Sequence, residues 1–189
     1  MMFQTYDWKE SMMTEYRATY AGGYHTQKTG LVHNVRDTVE FATSVLLLEK
    51  DIYREDAFLM LDKIVSLQDQ DTNSKTFGLW SYYLEEDLSC MESPDYNWAD
   101  FIGKNLSMIL LKYNNKLPNV LRIKIEQAVS NVAACSIKRN VSLDYTNTFF
   151  VLFTMLFSGG MVPTYLMNVR YLHLDNTIWI YILPGLVSA

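Results

Sequence analysis

Between Thr76 and Gly103 the chain has no lysine or arginine, yet it is dense in aromatic and acidic side chains. It holds Phe77, Trp80, Tyr82, Tyr83, Tyr96, Trp98 and Phe101 together with Glu85, Glu86, Asp87, Glu92, Asp95 and Asp100. Aromatic faces stack on the C–H faces of pyranose rings, and carboxylates accept hydrogen bonds from sugar hydroxyls. Paired carboxyl groups are also the working parts of glycoside hydrolysis. An apolar aromatic wall can raise a neighbouring carboxyl pKa into the range of a general acid. The same residue types suit a loop whose aromatics plug a core while its acids face water. Composition alone favours that second reading, because runs of charge usually mark solvated surface.

Other polar groups have simple structural roles. Asn97 or Asp95 suits an N-cap, and Asp100 in the following turn suits the helix dipole. The functional alternative has that first turn presenting Trp98 and Asp100 at a cavity mouth. His33 and Asp37 stand four apart, so the spacing predicts a shared helix face with Arg36 nearby. A structural His–Asp pair is the simpler reading of it. Asp144 is a plausible N-cap, and Tyr145 and Asn147 follow it into a very apolar segment, where buried polar groups need partners. The sequence shows no P-loop, Rossmann glycine pattern, H-E-x-x-H or G-x-S-x-G. No metal site and no cofactor is indicated.

The elements that must position these groups read as helices. Apolar residues recur at helical spacing over Leu31 to Glu49, 54–68, 96–113 and 118–139. Pro118 sits where a first helical turn tolerates proline. Short connections predict two antiparallel helical hairpins with the long stretch Asp69 to Pro94 between them. One further short helix is expected over residues 7–20. Phe149 to Phe157 is apolar all round, reading as a buried helix too short to span a bilayer. The expected fold class is all-α, with a lead-in over 1–30, a helical domain over 31–160 and an apolar tail over 161–189.

Bulk properties narrow the function classes. The chain has 189 residues, 49% hydrophobic and 20% charged, which is the balance of a folded domain. A net charge of −5 with scattered basic residues leaves nucleic acid without an electrostatic footprint. Two distant cysteines, Cys90 and Cys135, suit reduced thiols. With no basic and apolar leader at the N-terminus, the expected location is cytoplasmic.

Four stretches resemble the six-hairpin glycosidase-like family. They are RDT at 36–38, FGLWSYYLEE at 77–86, PDYNWADF at 94–101 and KRNV followed by YTN within 138–147. The resemblance runs over about residues 31–158. It implies antiparallel hairpins curving into part of an (α/α) toroid. It also implies a cavity at the inner-helix ends lined by Asp37, Trp80, Glu85, Glu86, Trp98, Asp100, Tyr145 and Asn147, with Tyr83 beside them. A closed toroid takes on the order of 200 residues at ~12 per helix and ~5 per connection. This chain therefore reads as an N-terminal portion, cut short after the first hairpins, whose open edge favours self-association.

Two functions follow. A glycoside hydrolase, or an N-terminal fragment of one, would use Glu85 or Glu86 with Asp100 on an oligo- or polysaccharide. A lyase fragment would instead rely on Tyr145 with Asn147, but the acidic segment repels a uronate polymer. The alternative is a non-catalytic helical module that binds a glycan or a protein. A membrane-associated fragment is the weakest reading.

Overall fold

Asn34 decides where the first sheet ends and the first helix begins. Its backbone is extended, and its Oδ1 accepts the Asp37 N–H at 3.0 Å, capping helix α1 (Val35–Leu47). The computed structural model describes residues 5–17, 25–26 and 28–139. Before Asn34 the chain forms three strands, β1 (Thr5–Asp7), β2 (Met12–Arg17) and β3 (Gly30–His33). They make one antiparallel sheet in the order β1-β2-β3. Tyr6 lies opposite Met13, and Thr14 pairs with His33. The Asp7 carboxylate closes the first hairpin by accepting the Lys9 N–H at 2.8 Å.

The all-α expectation is therefore corrected: the domain is mixed, and strands stand where the lead-in helix over 7–20 was expected. The strand signal is hidden for a physical reason. Met12, Met13 and Thr14 are all buried, so the central strand shows no alternation of apolar and polar residues. Thr38, in the first turn of α1, locks the sheet to the helix. Its hydroxyl oxygen accepts the Met13 N–H at 2.9 Å and its O–H donates to the Asn34 carbonyl at 2.6 Å.

The remaining helices are α2 (Arg54–Ser66), α3 (Asn97–Tyr113) and α4 (Asn119–Arg139). Each begins within a residue of the apolar spacing that announced it. They do not form part of a toroid. α1 packs on α2 and α3, and α4 packs on α3 and α2, so the four close around one core. Met12 and Met13 of the sheet belong to that same core. The expected self-association through an open toroid edge loses its premise with the toroid. α4 reads as a narrow stripe in sequence, yet from Asn131 to Ile137 only Ala134 is exposed. Among the described residues, no helix is long and apolar enough to cross a membrane. The apolar segment 149–157 and the tail 161–189 lie outside the described residues.

Candidate functional site

The stretch between α2 and α3 is held down from both sides. Gln68 donates from Nε2 to the Gly78 carbonyl at 3.2 Å and the Ala128 carbonyl at 3.0 Å. Its Oε1 accepts the Asn131 Nδ2–H at 2.9 Å. One buried amide thus ties the loop to the middle of α4. Asp69 organises the turn that follows. Its Oδ2 accepts the Thr76 hydroxyl at 2.6 Å and its Oδ1 accepts the Asp71 N–H at 3.0 Å. Burial works against this carboxylate, but hydrogen bonds from Ser74, Thr76 and the Asp71 N–H outweigh it and hold its pKa below the ordinary value.

Between this turn and the short 3-10 turn Leu88–Cys90 lies a groove of about 760 Å³. Asp69, Thr76, Ser81, Glu86, Asp87 and Tyr96 contribute its polar wall. Leu84, Leu88, Met91 and Pro94 contribute apolar surface. The Ser89 hydroxyl and N–H, at 2.6 and 2.8 Å, hold the Asp87 carboxyl below its usual range. Glu86 is only 4% exposed, and its Oε2 has no hydrogen-bond partner among the described residues. Glu86 also lines a second, smaller pocket of about 510 Å³ with Lys28, Cys90 and Glu92. Its side chain is therefore part of the partition between two openings.

The other residues singled out from sequence go elsewhere. Trp80 is fully buried, and its Nε1–H donates to the Ile64 carbonyl at 2.7 Å. It fills the helical core and presents no face to a ligand. Asp100 is also fully buried. Its Oδ1 accepts the Ser136 hydroxyl at 3.0 Å, and its Oδ2 lies 3.9 Å from Arg139 Nη1. It joins the start of α3 to the end of α4. Tyr83 is buried and accepts the Arg17 Nη1–H at 2.7 Å. Burial, then the neighbouring Glu15, pushes the Tyr83 phenol well above its ordinary pKa. Trp98 stacks on Tyr82 at 4.0 Å between ring centres, with the Arg36 guanidinium 5.8 Å from the Trp98 ring centre. Asp37 occupies the first turn of α1. Tyr145 and Asn147 lie outside the described residues. Of the three acids expected to be catalytic, only Glu86 reaches the groove.

Glu85 has a different task, and so does His33. His33 ends β3 before the Asn34 cap, so it does not share a helix face with Asp37. Its Nδ1 pairs closely with Glu85 Oε1, its backbone N–H donates to Glu85 Oε2 at 3.0 Å, and its Nε2 meets Asp7 Oδ2 at 3.1 Å. The imidazole thereby staples β1, β3 and the loop together. Burial opposes its charge, but the hydrogen bonds and charges of Glu85 and Asp7 prevail and raise its pKa. The hydrogen bond from His33, with the N–H groups of Lys9 and Glu10, lowers that of Asp7.

The pH dependence follows in sign. A raised His33 pKa stabilises the fold fully below the unfolded value of about 6.5, and the contribution fades as pH rises through the folded value. The lowered Asp7 pKa stabilises above about 3.9 and is lost as pH falls through its folded value. Urea midpoints of the wild type and His33→Gln should therefore differ most near about pH 5 to 6 and converge as pH rises through the raised value. A gap independent of pH between about 5 and 8 would show that this ring carries no extra proton in the fold.

Sequence reasoning passed over Gln68, Asp69, Thr76 and Ser89 as groove-forming groups. The signal present was the Asp69-Gln70-Asp71-Thr72-Asn73-Ser74 run, whose side chains favour local turns. Among the described residues, no group of three or more His, Cys, Asp or Glu is placed to hold a metal ion.

A family model described as a domain of unknown function, DUF8769, matches residues 2–156. Among curated proteins, the polygalacturonan/rhamnogalacturonan transport system permease protein YtcP of Bacillus subtilis (strain 168) is 54% identical over 41 residues. That stretch is 22% of this chain and 14% of the permease, so the chain spans only a small part of the curated relative it matches. No solved structure matches the chain. Since the family model covers most of its length, the chain belongs to the DUF8769 family.

Proposed function

We propose that this chain is a non-catalytic carbohydrate-binding module that holds a short glycan in the groove between the Asp69 turn and the Leu88–Cys90 turn. The observation that carries the reading is Glu86, a buried carboxyl that lines a groove of about 760 Å³ and whose Oε2 has no partner among the described residues. A buried acceptor without a partner costs free energy, which a ligand donor restores. The hydroxyls of Thr76, Ser81 and Ser89 already donate to Asp69, the Tyr83 carbonyl and Asp87, so their oxygens can accept from a polyol, and the Tyr96 ring and Leu88 suit its C–H faces.

The same wall speaks against cleavage. Hydrolysis needs a carboxyl that stays protonated to donate to the leaving oxygen. Asp69 and Asp87 are both held below the ordinary range and engaged by local donors, Asp100 is sealed between helices, and Glu86 would therefore lack an unengaged carboxylate beside it to activate water. Glu85 is committed to His33. The groove also repels a polyuronate of the kind in the permease's name, since acids outnumber Lys75 among the described residues of its lining. A cytoplasmic setting belongs to this reading, because Cys90 and Cys135 are both free thiols, as a reducing compartment keeps them.

Calorimetric titration of the full chain with a panel of short oligosaccharides tests the proposal. At least one should bind, Tyr96→Ala should weaken it about tenfold by loss of stacking, and no reducing ends should be released. Absence of binding at millimolar sugar would refute the module, and steady release of reducing ends would restore catalysis in its place.

A further inference from the structure

Resting on that reading, a narrower ligand class follows from the charges around Glu86. Among the described residues, the lining of the groove holds Asp69, Glu86 and Asp87 against Lys75, and on its other side Glu86 shares the smaller pocket with Lys28 and Glu92. Asp69 and Asp87 are each satisfied by local donors, Thr76 and the Asp71 N–H for the first and Ser89 for the second. Glu86 differs from both. It is 4% exposed, no donor reaches its Oε2 among the described residues, and it borders openings on two sides.

A neutral hydroxyl would fill the missing hydrogen bond but leave the charge of the acidic wall uncompensated. A metal ion would need converging ligands, and among the described residues no such group exists. A primary ammonium supplies both a positive charge and up to three N–H donors from a compact head. The groove's hydroxyls and apolar strip then want a polyol frame around that ammonium. We propose that the groove selects an amino sugar, a hydroxylated primary amine whose ammonium pairs with Glu86 while its hydroxyls meet Thr76, Ser81 and Ser89.

The test compares three oligosaccharides of equal length on the full chain by calorimetry: a glucosamine oligomer, its fully N-acetylated form and a neutral glucose oligomer. Acetylation removes the charge and keeps the ring. The glucosamine oligomer should bind about tenfold tighter than either comparator at low salt, and the advantage should shrink as salt rises. Glu86→Gln keeps the shape and removes the charge, so it should abolish the preference while the circular dichroism spectrum stays unchanged. The wild-type comparison stands by itself if that variant folds poorly. Equal affinity for all three oligomers would overturn the amino-sugar assignment and leave glycan binding intact. Preference for the amine that persists in a folded Glu86→Gln would overturn the role of Glu86. No binding by any of the three, or by other sugars, would remove both.

Discussion

Trp80→Ala is expected to destabilise the domain by about 3–5 kcal/mol, the range for removing a large aromatic from a packed interior. The indole is fully buried in the cluster that joins β2 to all four helices. No solvent-exposed edge exists through which the cavity could relax cheaply, and neighbours such as Ile64 and Leu79 are themselves fully buried. The Ile64 carbonyl loses the indole N–H but keeps the Leu67 N–H at 3.1 Å, so the cost is mainly lost packing. Trp80→Phe fills most of the volume and should cost only about 1–2 kcal/mol. Urea denaturation of both variants measures the difference. A Trp80→Ala protein that keeps wild-type stability yet loses glycan affinity would show that the indole is a binding surface after all.

Gly78→Ala should be nearly as damaging, at about 2–4 kcal/mol. Two costs combine there. Gly78 has φ +83, a region that side chains rarely adopt. An added Cβ would also stand 2.7 Å from the Asn131 carbonyl oxygen, and that oxygen is helix backbone, which cannot rotate aside. Either the turn lifts or α4 shifts, and both disturb the Gln68 bridge to Ala128 and Asn131. Gly30 is the internal control. Its φ is +90, but nothing lies within 4 Å of an added Cβ. Gly30→Ala should therefore cost about 1 kcal/mol, the conformational part alone. Thermal or urea midpoints that rank the two glycines equally would mean that the Asp69 turn does not sit against α4 as described. Because that turn forms one wall of the groove, Gly78→Ala should also weaken any bound sugar.

Trp80 and Asp100 mark the limit of what local pattern encodes. Trp80 and Asp100 were legible as important, since a tryptophan in an acidic loop and an aspartate in a first helical turn both stand out. Their direction was not legible. Trp80 points inward because the loop after α2 folds back over Ile64, and Asp100 is sealed because Ser136 and Arg139 arrive from α4. Both contacts join segments far apart in the chain, and no local pattern encodes them. His33 and Asp37 fail for a nearer reason: the helix starts two residues after the histidine, so the four-residue spacing crosses from strand to helix.

Local sequence encodes the four described helices to within a few residues, because helical spacing and caps are local properties of the chain. It also determined the concentration of acids and aromatics between α2 and α3. The packing of distant segments settled the rest. It set a small sheet at the front, since Met12 to Thr14 are covered on both faces and lose their alternation. It divided the acids into a stapling Glu85, a sealed Asp100 and a groove-lining Glu86, because burial and partner choice depend on which distant segments meet.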